Sequence, residues 1–98
     1  MPISYYIDGT IHTSYNGTIL NKILHRDNAP AIYYFNGDME HYCNGKLHNL
    51  NGPAVYNIFV KNMPEKFFIY GIFIGINLSK EEFEERKQQE LKLIIFSS

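Results

Sequence analysis

The chain contains an internal repeat with an offset of 23 residues. The segment LHRDNAPAI at positions 24–32 returns as LHNLNGPAV at positions 47–55, and five of the nine positions are identical. A fixed-period repeat indicates one supersecondary unit stacked several times. Residues that recur once per unit are expected to build that unit, so the repeat predicts architecture before it predicts activity.

Short turn signals divide the repeat into segments. They are Asp8-Gly9, Asn16-Gly17, Asn36-Gly37 and Asn44-Gly45. Such pairs favour type I′ hairpin turns, because both central residues need a positive φ. Runs rich in aromatic and β-branched residues lie between the turns or follow them, which predicts strands within residues 31–35, 41–43, 54–59 and 66–70.

The predicted fold is mainly β, an antiparallel meander of repeated β-hairpins with one C-terminal α-helix. Residues 1–77 would form the hairpin sheet and residues 78–98 the helix with an apolar tail, all in one domain. The copies would span residues 5–17, 24–45 and 46–71, with about three extra residues near 61–64. Gly52, which precedes Pro53, is expected to adopt a positive φ.

The repeated residues resemble a MORN-like repeat family found in proteins of bacteriophages and large DNA viruses. Residues 44–48 and 51–54 match its motif Asn-Gly-x-Leu-His-Arg-x-x-Gly-Pro-Ala, and residues 24–26 and 28–31 match it in part. The resemblance covers residues 8–83, but the chain has Asn49 where the family prefers Arg and Ala29 where it prefers Gly. The resemblance implies binding of proteins or lipids rather than catalysis.

The charge balance and the single cysteine limit the partners and the compartment. The formal net charge is −1, and residues 1–77 hold five basic and five acidic side chains. A nucleic-acid binder usually presents a basic stripe, so direct nucleic-acid binding is not expected. Cys43 is the only cysteine, which fits a reducing cytosol. No signal-peptide or membrane-span pattern is visible, so we expect a cytoplasmic protein without a membrane partner.

A helix is predicted over residues 80–93. Ser79 and Glu82 have the spacing of a capping box, in which each side chain accepts a hydrogen bond from the other residue's backbone N–H. Three alternatives exist for the apolar residues that follow. In the first, Phe83 holds the helix on the last hairpin and the tail packs on the sheet. In the second, the tail buries against another chain, which would make a homodimer if that chain is a second copy. In the third, the tail is frayed. The self-association residues would be Leu91, Leu93, Ile94, Ile95 and Phe96.

The histidines His12, His25 and His48 each follow an aliphatic residue. If one repeat adds two strands, equivalent residues lie about 9–10 Å apart, which is awkward for a shared zinc ion. We interpret each ring as closing its own turn, through nearby backbone or through Asn28 and Asn51. Phosphate-binding loops, metal-spaced acids and nucleophile elbows are not found in the sequence. We therefore predict no catalytic residue, cofactor or metal.

The aromatic residues provide the predicted partner-binding surface, together with one face of the helix. The residues are Tyr33, Phe35, Tyr42, Tyr56, Phe68, Phe83, Arg86 and Lys87. Outward aromatic side chains with few charges are typical of protein interfaces. The leading hypothesis is a non-enzymatic interaction module of phage or viral type that binds a host protein. Its most specific form is an inhibitor of a host defence protein such as a CRISPR nuclease complex.

Two alternatives come from other classes. One is a nucleotide-binding sponge, in which aromatic and histidine side chains at an oligomer interface hold a small anionic ligand. The other is a hydrolase that depends on His12, His25 or His48.

Overall fold

The computed structural model describes residues 2–13, 18–57 and 64–97. These residues form nine short strands and one helix: β1 Ile3–Tyr5, β2 Ile11–Thr13, β3 Ile32–Tyr33, β4 Met39–Glu40, β5 Tyr42–Cys43, β6 Lys46–Leu47, β7 Val55–Tyr56, β8 Lys66–Ile69, β9 Ile72–Ile76 and α1 Lys80–Ser97. The predicted turn at Asn16-Gly17 and the extra residues 61–63 lie outside the described residues.

The described strands confirm the predicted fold class. Seven of them form one antiparallel sheet in the order β2-β1-β3-β4-β7-β8-β9, and β5 pairs with β6 in a small separate ladder. Consecutive hairpins build the sheet, and one C-terminal helix follows it. Strand β9 at the edge of the sheet is an element that the sequence reasoning did not predict.

The 23-residue repeat is visible in the backbone hydrogen bonds. Ala31 N–H donates to the Glu40 carbonyl at 2.8 Å, and the equivalent Ala54 N–H donates to the Lys66 carbonyl at 2.9 Å. Both alanines are fully buried. A small side chain therefore recurs at a fully buried position of each copy, where a larger one would need more space.

One turn in the repeat differs from the expectation. Gly52 does not have a positive φ, so that prediction is wrong. In the preceding copy the left-handed residue is Asn28, with a φ of 58°. Asparagine tolerates this conformation better than other residues with a Cβ, so Ala29 need not adopt it.

The helix begins as predicted and ends later than predicted. Glu82 N–H donates to Ser79 Oγ, and Ser79 N–H donates to Glu82 Oε1, both at 3.1 Å. This capping box lowers the pKa of Glu82, chiefly because the carboxylate accepts the Ser79 backbone N–H. The helix continues through the apolar tail to Ser97, because the tail residues add a further turn of apolar contact.

The core lies between the helix and the last hairpin. Phe83 is 3% exposed, and its ring centroid lies 4.8 Å from that of Phe67. Ile69 and Ile74 complete this buried cluster, and partly buried hydrophobic residues pack around it, including Leu91 and Ile94. Phe83 is therefore a core residue and is not accessible to a partner.

Two positively charged side chains of the helix donate hydrogen bonds to backbone carbonyls outside the helix. Arg86 Nη1 donates to the Ile74 carbonyl at 3.1 Å. Lys87 Nζ donates to the Leu50 carbonyl at 2.8 Å and pairs with Glu84 at 2.9 Å. These contacts stabilise the helix on the sheet, whereas the sequence predicted that Arg86 and Lys87 face a partner.

Gly75 allows this close approach. A Cβ atom there would lie 2.8 Å from Arg86 Nη1 and 2.9 Å from a Leu78 methyl group. A side chain at this position would therefore have to displace the ends of the Arg86 and Leu78 side chains.

Candidate functional site

Two repeated contacts join a hairpin turn to an earlier Leu-His pair of the chain. In the first link, the Asn44-Gly45 turn docks on Leu24-His25. Gly45 N–H donates to the Leu24 carbonyl at 2.8 Å, and Asn44 N–H donates to His25 Nδ1 at 3.1 Å. In the second link, the Tyr70-Gly71 turn docks on Leu47-His48. Gly71 N–H donates to the Leu47 carbonyl at 2.8 Å.

The second link also contains a hydrogen bond to an imidazole nitrogen, equivalent to the one in the first link. Tyr70 N–H donates to His48 Nδ1 at 2.8 Å. Asn44 and Tyr70 both have left-handed φ values, 51° and 47°, and each is followed by a glycine with positive φ. Both histidines are structural, in line with the interpretation drawn from the sequence. Each ring, however, accepts the amide of a turn that lies 19 or 22 residues later in the chain and does not close its own turn.

The hydrogen bond to Nδ1 determines the tautomer of each neutral ring. An Nδ1 that accepts a hydrogen bond places the proton of the neutral ring on Nε2. In the first link, His25 Nε2 lies 3.1 Å from an oxygen of Asp27. In the second link, the His48 ring stacks on Tyr70 with centroids 3.9 Å apart. Burial lowers the pKa of His48 and favours the neutral acceptor form.

Asn49 stands where the preceding copy has Arg26, and one hydrogen bond recurs at both positions. Arg26 Nη1 donates to the Pro30 carbonyl at 3.3 Å, and Asn49 Nδ2 donates to the equivalent Pro53 carbonyl at 2.9 Å. The guanidinium of Arg26 also lies 3.9 Å from the Tyr5 ring centroid. Asn49 therefore replaces the hydrogen bond of the arginine but not its aromatic contact.

A polar cleft of about 270 Å³ lies beside the second link. Its walls include Arg26, His41, Cys43, His48 and Tyr70. Burial lowers the pKa of His41, although the Ala54 backbone partly opposes this shift. The described residues contain no group of three or more His, Cys, Asp or Glu placed to hold a metal ion.

Three of the predicted aromatic residues are engaged within the chain. Tyr33 packs edge-on against Tyr5 at 6.3 Å, and Tyr56 is half-buried in register with Met39. The Tyr42 hydroxyl donates to Glu40 at 2.7 Å. Burial and this carboxylate raise the pKa of Tyr42 well above its ordinary value.

The remaining aromatic residues of the predicted surface lie in two different places. Phe35 is 75% exposed and precedes the Asn36-Gly37 turn. Phe68 is half-buried against Phe73, with ring centroids 5.4 Å apart. The structure does not bring the eight predicted residues together as one surface.

The predicted self-association residues also divide. Leu91 and Ile94 are half-buried and pack against the core, whereas Leu93 and Ile95 are 63% and 68% exposed. The helix thus presents one row of the tail inward and the other outward. The side chain of Phe96 lies outside the described atoms.

An apolar edge that the sequence reasoning missed lies on β9. We call the strand Ile72–Ile76 the open edge, because β9 is the last strand in the sheet order. Ile72, Phe73 and Ile76 are 41%, 56% and 50% exposed, respectively. One signal could have found it. Gly71 lies 26 residues after Gly45, which is the 23-residue offset plus the three inserted residues.

Comparison of the chain with known protein families, with curated proteins and with solved structures found no match. Within residues 2–13, 18–57 and 64–97, no helix is both long and apolar enough to cross a bilayer.

Proposed function

We propose that the chain is a non-enzymatic protein-interaction module whose partner docks on the open edge. The observation that carries this proposal is the exposure of Ile72, Phe73 and Ile76 on an edge strand without any charged residue. Proteins usually protect such edges with charges, proline or a covering element, because an exposed apolar edge pairs readily with another chain. Arg86 bonds the Ile74 carbonyl of this strand, and the exposed apolar residues on either side of that contact form a candidate docking surface.

The use of the histidines supports a binding role rather than catalysis. His25 and His48 each commit Nδ1 to a turn amide. A general base needs a free ring nitrogen within reach of a substrate proton, and in these rings the accepting nitrogen is already bonded. Their recurrence is explained by the links between the hairpins.

The partner that we propose is a host protein, and the family resemblance directs the choice to host defence proteins, including CRISPR nuclease complexes. The decisive measurement is DNA cleavage by purified nuclease complexes with and without the full chain. Inhibition that rises with the chain's concentration supports this partner, and unchanged cleavage at saturating concentration excludes the complex tested.

The surface is tested with a matched pair of exposed phenylalanines. Phe73→Ser should abolish capture of the partner by the tagged chain, because Phe73 lies on the open edge. Phe35→Ser should leave capture unchanged, because Phe35 lies at another turn. Both side chains are more than half exposed, at 56% and 75%, so both variants should fold. Equal capture by the two variants would contradict the assignment of the surface.

A nucleotide-binding sponge is the second candidate, and the cleft beside the second link favours it. The stacked His48 and Tyr70 rings and the Arg26 guanidinium are recognition groups for a base and a phosphate. Calorimetry of the full chain against cyclic oligonucleotides tests this candidate. Heat that disappears in Tyr70→Ala would support it, and the absence of heat at millimolar ligand would remove it.

A further inference from the structure

The two links share one backbone contact between a hairpin turn and an earlier segment of the chain. In each link, a leucine carbonyl, that of Leu24 or Leu47, accepts the N–H of the following turn glycine at 2.8 Å. The last hairpin has the same local order. Gly45-Lys46-Leu47-His48 corresponds to Gly71-Ile72-Phe73-Ile74. Phe73 therefore occupies the position of the receiving leucine.

The backbone of Phe73 points away from the sheet. Phe68 is in register with Phe73, and its carbonyl accepts the Asn49 N–H at 3.1 Å on the opposite side. Alternate residue pairs in an antiparallel ladder are not hydrogen-bonded to each other. Phe68 and Phe73 form such a pair, so the N–H and C=O of Phe73 face the outer edge.

The internal precedent shows the same geometry. Tyr42 is in register with Leu47, and its carbonyl accepts the Arg26 N–H at 3.2 Å. The Leu47 carbonyl faces the other way, where it accepts the Gly71 N–H. The open edge thus repeats an arrangement that receives a hairpin turn inside the chain, but it is the last strand of the sheet.

We infer that the open edge receives a β-hairpin turn of a partner protein, with the turn's N–H donated to the carbonyl of Phe73. Ile72 and Phe73 are both exposed. Their side chains would cover the apolar side chains of the incoming hairpin. This inference rests on the proposed function and specifies its recognition mode. The partner is recognised by a left-handed X-Gly turn with apolar flanks, the chemistry that the chain uses twice internally.

A second copy of the chain fits this edge less well than another protein. Gly45 and Gly71 donate their N–H groups to Leu24 and Leu47, while Gly9 and Gly37 donate theirs to the carbonyls of Tyr6 and Tyr34 at 2.9 and 3.0 Å. Every described glycine with a positive φ therefore has its N–H engaged within its own chain. A described turn of a second copy would have to open before it could donate.

The test uses a disulfide-closed hairpin peptide with the sequence of residues 66–73 and a second peptide with sarcosine at the turn glycine. Sarcosine removes the donating N–H. Each peptide is titrated into the ¹⁵N-labelled full chain, with the amide shifts of Phe73 and its neighbours as the readout. The glycine peptide should perturb these amides, and sarcosine should weaken binding by roughly tenfold or more, the effect of one lost hydrogen bond.

Three outcomes would overturn the inference. They are unchanged Phe73 amide shifts at millimolar glycine peptide, equal affinity of the two peptides, and a dimer by light scattering that Phe73→Lys converts to a monomer. The last result would assign the edge to a second copy. Phe73→Lys should fold, because that side chain is 56% exposed. If Phe73→Ser still loses the captured partner in any of these cases, the proposed function stands and only the recognition mode fails.

Discussion

The first and second links have the same backbone bonds and different side-chain surroundings. In both, a turn glycine donates to a leucine carbonyl at 2.8 Å and the preceding residue donates to an imidazole Nδ1. His25 then bonds Asp27, whereas His48 stacks on the tyrosine of the turn that it receives. The repeat therefore specifies the hydrogen bonds, while the residues around them decide how much each link contributes to stability.

The largest difference is expected from removing the rings. His48→Ala should lower the free energy of unfolding by about 2 kcal/mol, because it removes a hydrogen bond and an aromatic stack. His25→Ala should cost about 1 kcal/mol, since only the hydrogen bonds are lost. Urea denaturation of both variants measures the difference. Equal losses would show that the Tyr70 stack contributes no net stability.

Replacing a turn glycine should lower the free energy of unfolding by less than His48→Ala does. The loss should be the same in both links. Gly45 and Gly71 have φ values of 81° and 82°, and a Cβ would lie 3.5 Å from Ile23 and 3.4 Å from Lys46, respectively. Gly45→Ala and Gly71→Ala should each lower the free energy of unfolding by about 1–2 kcal/mol, because alanine is strained in the left-handed region. Gly52→Ala is the control, because Gly52 has no positive φ. A loss at Gly52 as large as at the turns would contradict this explanation.

Asn49 offers a smaller perturbation beside the second link. Its side chain donates to the Pro53 carbonyl and accepts the Asn51 N–H, both at 2.9 Å. Asn49→Ala should lower the free energy of unfolding by about 1 kcal/mol. Asn49→Asp keeps the acceptor and removes the donor, so thermal melts of both variants separate the two bonds. If the Asp variant is less stable than the Ala variant, the loss of the acceptor does not explain the lower stability of the Ala variant.

The smallest expected effect is a pH dependence of the second link. Burial lowers the pKa of His48 below its ordinary value of 6.5. The unfolded chain therefore binds the proton at a higher pH than the folded chain. The contribution of neutral His48 is fully present above about pH 6.5 and is lost as the pH falls toward the lower folded value.

His48→Asn is the matched variant for this prediction, since an asparagine oxygen can accept the turn amide and does not titrate. Urea denaturation at pH 7.5 and pH 5 should show a smaller loss of stability in the variant than in the unchanged chain. His41 retains its own lowered pKa, so some dependence should persist. An equal loss in both proteins would exclude His48 as the source.

Much of the fold could be predicted from the sequence, and less of the site. The repeat and the Asn-Gly pair at 44–45 predicted the hairpins, and Ser79 with Glu82 predicted the start of the helix. Strand β9 was missed because Tyr70-Gly71 lacks the asparagine or aspartate that marks the other turns. Tyrosine adopts the left-handed φ there because its amide bonds to His48 and its ring stacks on it, and both contacts are tertiary.

Several residues of the predicted partner surface contact the rest of the chain instead, for a related reason. Alternation along a strand shows which side chains share a face, but it does not show which face another element covers. Only packing decided that Phe83 enters the core, that Tyr42 bonds Glu40, and that Phe73 stays exposed.

Local features of this protein follow from its sequence: the period of the repeat, the two repeated alanines, the turn chemistry and the helix cap. Each depends on residues close together in the chain, whose conformational preferences act before any distant contact forms. Tertiary contacts decided that His25 and His48 each accept the amide of a distant turn, and that Phe73 lies on an edge strand. Those outcomes depend on contacts between residues 19 to 22 positions apart, which no local preference encodes.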